Sequence, residues 1–417
     1  MQKLSKMQKI LQNAIAAIQE DNWASVNQCL QQLLLSPLNK SERKQVIDLA
    51  LQVLKESDFH QRWEVAKLFP KLGSEAIAPL ITILENETTD LETRWFAARI
   101  LSEFDEPSCI VALVKSIEQT EEEELSLVAS QALAKIGSSA IQALIGLLKE
   151  PETRLLAVRA LAQIRRSDII EPLLEVVNDP NPEIRAIAIE ALGSFHDECI
   201  LPVLIKALKD PASSVRKEAA ISLGMCIQIG SQFDLVELLK PLLYDLNLEV
   251  CQQAAMALGR IGTDEAAQAL FLVLKSPATP VVLKLTLVRA LSWIETRQAL
   301  TYLQQGLRLG DVEVCQEIVT VLGRKESAEL KGKATQILIE FFHSQKPAVQ
   351  QPQIEQALAM SLGELGQTEA IELLLNLAED SDRTVKLHAI AALKKFPDPS
   401  ILLNCEDLAQ PEILNLR

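Results

Sequence analysis

Apolar residues recur along this chain with the spacing of one helix face, and the frame returns at intervals mostly of 28 to 35 residues, with one of 40. The segment Pro182 to Phe195, PEIRAIAIEALGSF, shows it. Arg185 opens the frame, apolar residues stand one before it and three, seven and ten after it, and Phe195 closes it. The same ten-residue span runs from Arg62 to Leu72, Arg94 to Phe104, Ser126 to Ile136, Arg154 to Ile164 and Arg216 to Cys226. It continues from Cys251 to Ile261, Lys284 to Ile294, Cys315 to Lys325, Glu355 to Leu365 and Lys386 to Phe396. Position +7 is leucine in every repeat except the first, where Phe69 takes it, and Ala97, Ala157, Ala188, Ala219, Ala254 and Ala389 recur at +3.

Between these helices the pattern predicts a shorter first helix, as in AIAPLITILEN, IIEPLLEVVN and ILPVLIKAL, joined to the second by turns such as Asn178-Asp179-Pro180 and Lys209-Asp210-Pro211. A proline after an aspartate stops one helix and sets the chain for the next. Neither helix of a pair can bury its stripe alone, so pairs must stack. The fold class expected is all-α, an α-α superhelix of about eleven two-helix repeats. Residues 1–40 read as an N-terminal capping helical hairpin (Gln8 to Gln19, Trp23 to Leu34), and the helix over Ser41 to Glu56 is expected to act with it ahead of the first match. Residues 41–396 then form the solenoid and 397–417 a C-terminal cap or tail, with no Gly- or Ser-rich linker dividing the chain.

Composition agrees. Of 417 residues, 48% are apolar but only 4% aromatic, which suits close helix packing better than sheet. The formal charge of -15 disfavours nucleic acid and anionic lipid as general partners. No uninterrupted apolar stretch of about 18 residues predicts a membrane span, and the basic N-terminus is followed by amphipathic rather than apolar sequence, unlike a secretory signal. Seven widely spaced cysteines read as reduced thiols in a cytoplasmic protein.

The first anchor is basic in seven repeats: Arg62, Arg94, Arg154, Arg185, Arg216, Lys284 and Lys386. A cation near a helix N-terminus opposes the helix dipole. These side chains are therefore expected to reach aspartates of their own or adjacent turns as a structural ladder. Cys251 and Cys315, in the same slot, read as small replacements.

The segment DPNPEIRAIAIEALGSFHDECILPVLIKALKDPASSVRKEAAISLG, with its Asp-Pro turns, Ile/Val-Arg pairs and terminal Leu192-Gly193 and Leu223-Gly224, resembles the HEAT-like repeats of the phycobilisome lyase family. The resemblance covers most of residues 60–396 and implies a HEAT-repeat solenoid. As one candidate it implies a cyanobacterial, phycobilisome-linked role, with phycobiliprotein or bilin as possible partner. Deoxyhypusine hydroxylase, also built from such repeats, binds iron through His-Glu pairs. None of His60, His196, His343 or His388 precedes a glutamate, so that activity is not expected.

No phosphate loop, HExxH, CxxC or GxSxG is present. Glu121 to Glu124 read as a solvated cluster at a helix start, and the His196/Cys199 pair as an unactivated thiol in a turn. No catalytic residue, cofactor or metal is expected; if the chain were an enzyme, a phycobilin lyase-type activity would be the one implied by the resemblance. Binding is expected on the second helices, which usually line the concave face of such arrays. There Trp63 and Trp95 at +1, Lys67, Arg99 and Arg159 at +5, and Lys71 at +9 form a candidate aromatic and basic patch. The expected function is a non-catalytic scaffold or adaptor for a protein partner. The alternative is a bilin lyase or isomerase component that delivers a tetrapyrrole to a phycobiliprotein cysteine.

Overall fold

A computed structural model describes residues 6–195, 197–227, 233–309, 311–344 and 346–396. Among the described residues there are α-helices and short 3-10 turns, and no strand. The chain divides into two compact units, residues 1–192 and 193–417.

In the first unit, Lys6–Gln19 and Trp23–Leu33 form the expected hairpin, turned by Asp21 at φ 51 and capped by the Asn22 side chain on the Ser25 amide. Asn27 ties the hairpin to the next element, donating to the Gln61 carbonyl at 3.1 Å and to its side-chain oxygen at 2.8 Å. Lys40–Glu56 opens with a full capping box between Asn39 and Glu42. Rather than extending the cap, it is the first helix of the first pair, packed on Phe59–Ala66. Pro70 lies where a continuous helix would run on, and the second helix of this pair is broken into Phe59–Ala66 and Phe69–Leu72. The further pairs of this unit are Ile77–Glu85 with Leu91–Leu101, Pro107–Gln119 with Glu123–Ile136, and Ile141–Leu148 with Pro151–Gln163. Ile170–Val176 and Pro182–Gly193 follow as the next pair.

The stretch Glu123–Leu148 is long and apolar enough to cross a membrane by length and composition alone. Gly137, at φ 81, breaks it into two helices, each of which buries one face in the array.

The second unit continues with Leu201–Ala207 and Ser213–Leu223, then Leu235–Leu239 and its 3-10 extension Lys240–Tyr244 with Leu248–Ile261. Asp264–Leu274 pairs with Val281–Trp293, Arg297–Gly306 with Val312–Leu322, Ala328–His343 with Pro352–Leu365, and Ile371–Ala378 with Arg383–Leu393. The fold is an α-α superhelix of eleven such second helices among the described residues, each carrying one of the predicted frames. Residues 397–417 lie outside the described residues.

The predicted stripe is the core. Every +7 residue, from Phe69 and Leu101 to Leu362 and Leu393, is fully buried, as are the alanines at +3. Replacing any such leucine with alanine would cost about 2–5 kcal/mol. The +10 residue behaves differently from the helical position expected of it. Phe104, Cys226, Lys325 and Phe396 lie beyond the ends of their helices and plug the core from the following turn.

Close approach between second helices uses a signal the stripe does not contain. Gly259, at +8, sits so near Ala290 of the next second helix that an added Cβ would stand 2.8 Å from its carbonyl oxygen and 2.9 Å from its Cα. Gly224 makes the same approach to Ala257. Glycine at +8 against a small residue at +6 sets how closely these helices pack.

Candidate functional site

The basic anchors do two things. The five arginines reach back to main-chain carbonyls at the end of the first helix of their own pair or in the turn that follows it. Arg62 donates to the Ser57 and Lys55 carbonyls, Arg94 to Leu84 at 2.9 Å, Arg154 to Leu148 and Lys149, Arg185 to Asp179 and Pro180, and Arg216 to Asp210 and Pro211. At Arg62, Arg94 and Arg154 these carbonyls belong to the last turn of the preceding helix, whose negative end offsets the unfavourable dipole at the start of the second.

Several anchors also reach forward to a carboxylate in the next turn. Arg62 meets Asp90 at 3.2 Å and Glu92 at 2.8 Å, Arg154 meets Asp179 at 2.9 Å, and Lys284 meets Asp311 at 2.6 Å. Arg216 grips Asp245 with two bonds, at 2.7 and 2.8 Å, and holds that carboxyl below the ordinary aspartate range. Asp179 and Asp245 fold their own turns as well, each accepting a backbone N–H two residues on at 2.8 Å. Lys386 has no side-chain partner among the described residues. In the cysteine slots, the Cys251 thiol donates to the Asp245 carbonyl at 3.2 Å and Cys315 to that of Leu307 at 3.7 Å, and burial pushes the Cys251 thiol up.

Of the six candidate patch residues, three converge. The Arg99 guanidinium lies 4.3 Å from the centre of the Trp63 ring and 5.6 Å from that of Trp95. Both indoles are half-buried and Arg99 is exposed. Among the described residues Arg99 has no carboxylate partner. The other three do not join this contact. Lys67 is paired with Glu64 at 2.6 Å, Arg159 is paired with Glu183, and Lys71 is exposed with no side-chain bond among the described residues.

Two phenylalanines missing from the sequence expectation complete the cluster. Phe59, 53% exposed, stacks on Trp63 at 6.1 Å and leans on Phe96 at 5.3 Å. Phe96 is fully buried and meets the edge of Trp95 at 5.1 Å. Phe59 stands four residues before Trp63, a spacing that puts two aromatics on one helix face and could have revealed it. A similar pair in the second unit, Arg260 over Trp293 at 5.8 Å, was also outside the expectation.

Glu123 and Glu124 lie exposed in the first turn of Glu123–Ile136, a favourable place for negative charge. Cys199 is exposed, and His196 lies outside the described residues.

The HEAT-repeat family profile matches residues 77–154, 149–224, 201–286, 238–323 and 349–405. No curated protein matches the chain in sequence. Among solved structures, the Kap95:Nup1 complex is similar with a TM-score of 0.58 at 14% identity, over 93% of this chain and 62% of that one. Kap95p with RanGDP gives 0.55 at 14% identity, over 99% and 62%. Importin beta gives 0.54 at 12% identity, over 97% and 66%. The chain thus spans less than two thirds of the two Kap95 chains, and at these identities the likeness is one of fold. A profile match over more than half of the chain, on helix pairs that share one register, makes the chain a member of the HEAT-repeat family.

Proposed function

We propose that this chain is a non-catalytic cytoplasmic scaffold that binds an acidic segment of a protein partner through the patch built by Phe59, Trp63, Trp95 and Arg99. The observation that carries the proposal is the Arg99 guanidinium, exposed over two indoles and without a carboxylate in a chain of net charge -15. Other exposed cations on the second helices are answered, Arg289 by Glu317 and Lys135 by Glu103. Aromatic and arginine side chains are those most enriched in binding hot spots, and a partner carboxylate would complete Arg99 while covering Phe59. The solved structures with this fold include one named as a complex with Nup1 and one as a complex with RanGDP, which supports a binding role for the architecture.

The test is a quantitative affinity purification comparing the wild-type chain with Trp63→Ala/Arg99→Glu, matched by circular dichroism. Loss of an acidic partner from the double variant is the expected result. A partner retained in full by the folded variant overturns the proposal.

A second reading is favoured by the same platform. Two indoles and a guanidinium suit a planar, propionate-bearing bilin, the ligand implied by the resemblance to phycobilisome lyase repeats, and on this reading the chain is an assembly factor or lyase component for phycobiliproteins. Titration with free bilin separates the two readings, since a bound tetrapyrrole changes its visible absorption and a peptide does not.

A further inference from the structure

The ladder has a gap in the first unit, and a cleft stands there. Between Leu91–Leu101 and Glu123–Ile136 the anchor is Arg94, whose Nε donates to the Leu84 carbonyl while its two η nitrogens have no partner among the described residues. In the next turn, six residues before the following anchor, the position held by Asp179 and Asp245 at other joints is Thr120. Thr120 keeps the turn, its hydroxyl accepting the Glu122 amide at 3.2 Å as those aspartates accept theirs. It brings no carboxylate. Glu122, four before the anchor as Asp90 is at the first rung, makes no ion pair with Arg94.

What remains is an open cleft of about 460 Å³ lined by Arg94, Ser116 and Thr120 among others. Ser116 is buried and its hydroxyl has no hydrogen-bond partner, so a donor or acceptor at this joint goes unused. The rim carries opposite charge. Glu85 is taken by Lys115 at 2.9 Å, but Glu87, Glu121 and Glu122 are exposed and form no ion pair among the described residues. Two cations therefore face four carboxylates, which opposes a simple anion and favours a ligand that brings a positive group with its carboxylate.

We propose that this cleft binds a ligand carboxylate as the missing rung, and that the ligand is an α-amino acid with a cationic side chain, either free or as the C-terminal residue of a peptide. The carboxylate accepts from the Arg94 η nitrogens with the Ser116 hydroxyl turned towards it, and the ligand's cation lies among Glu87, Glu121 and Glu122. The cleft shares no lining residue with the Arg99 patch, and neither proposal rests on the other.

Calorimetric titration of the full chain decides it. The probes are L-arginine, agmatine (the same molecule without its carboxylate), and a short peptide ending in arginine with a free or an amidated C-terminus. Binding of L-arginine alone identifies a free amino acid as the source, and binding of the free-acid peptide identifies a chain end. In either case removal of the carboxylate is expected to weaken binding at least about tenfold, and Arg94→Gln to abolish it. Thr120→Asp, which supplies the rung from the chain itself, is expected to abolish binding while leaving the fold intact by circular dichroism. The proposal is overturned if neither L-arginine nor the free-acid peptide binds, if agmatine or the amide binds as well as its acid, or if binding survives Thr120→Asp.

Discussion

Gly259→Ala tests the packing that brings second helices together. Glycine inside a helix is ordinarily a weakness, and alanine there gains about 1 kcal/mol. At Gly259 the added Cβ would lie 2.9 Å from the Cα and 2.8 Å from the carbonyl oxygen of Ala290. An ordinary carbon contact is about 3.5 Å, so the helices Leu248–Ile261 and Val281–Trp293 must part by roughly 0.6 Å. Both atoms belong to backbone, and no rotamer change relieves them. Overpacking of this kind costs about 1–3 kcal/mol. With rigid partners the upper part of that range applies, and the net effect is a loss of about 1–2 kcal/mol after the propensity gain is subtracted. Gly332→Ala is the matched control, since Gly332 lies in the interior of Ala328–His343 with nothing within 4 Å of its added Cβ. It should stabilise by about 0.5–1 kcal/mol. Urea melts followed by circular dichroism at 222 nm give the two signs. Hydrogen exchange over 248–261 and 281–293 shows whether Gly259→Ala loosens that joint first, as expected where stability is a sum of nearest-neighbour terms. A Gly259→Ala protein as stable as the wild type, or shifted upward like Gly332→Ala, would refute the close approach.

Arg216→Ala should cost roughly 2–3 kcal/mol in a urea melt, because it strands the largely buried Asp245 carboxylate. Arg297→Ala, whose pair with Glu329 is 83% and 62% exposed, should stay within about 0.5 kcal/mol of the wild type. Lys325 occupies a +10 plug position that is isoleucine or leucine in most other repeats, and burial lowers its pKa while its ammonium donates to the Ser292 carbonyl at 2.6 Å. Its unfolded form holds the proton more tightly, so wild-type stability should rise as pH climbs through the lowered folded pKa towards 10.5. Lys325→Leu should remove that rise and stabilise at neutral pH by about 1 kcal/mol. Glu355 stands in a basic-anchor slot, and burial together with Asp380 and Asp382 raises its pKa. Its folded form holds the proton more tightly, so this joint should weaken as pH rises from the ordinary glutamate value through the raised one. Glu355→Gln should flatten that dependence in melts across the window, and Glu355→Arg should stabilise at neutral pH by adding a rung to Asp380.

What the sequence made legible here is what each helix does with its own stripe. The +3 and +7 residues are buried in every repeat because burial follows from periodicity within one helix. Trp63, Trp95 and Arg99 were legible for the same reason, as +1 and +5 positions of adjacent frames. Features that depend on a neighbour were not. Gly259 and Gly224 stood in plain view at +8, yet only the next helix shows that Ala290 and Ala257 fill the space a Cβ would need. The arginine row was expected to reach aspartates, and Arg62, Arg154 and Arg216 do, but each also binds main-chain carbonyls of the preceding helix end or turn, which carry no side-chain signature.

The gap at Arg94 follows the same logic. The rung acid stands six residues before the next anchor at Asp179 and Asp245 but four before it at Asp90 and Asp311, so no fixed offset in the sequence marks where a carboxylate is due. Thr120 and Glu122 occupy both offsets, and Glu122 at the second would pass for a rung on charge alone. Only the geometry separates them: the threonine hydroxyl closes the turn, the glutamate makes no ion pair with Arg94, and a cleft is left between two helix pairs. A repeat array keeps its register through rungs that need not all be present, because each contributes little beside the buried stripe. Loss of one rung therefore leaves the stack standing and frees an arginine, and that is how an array of packing units acquires a binding site without changing its fold.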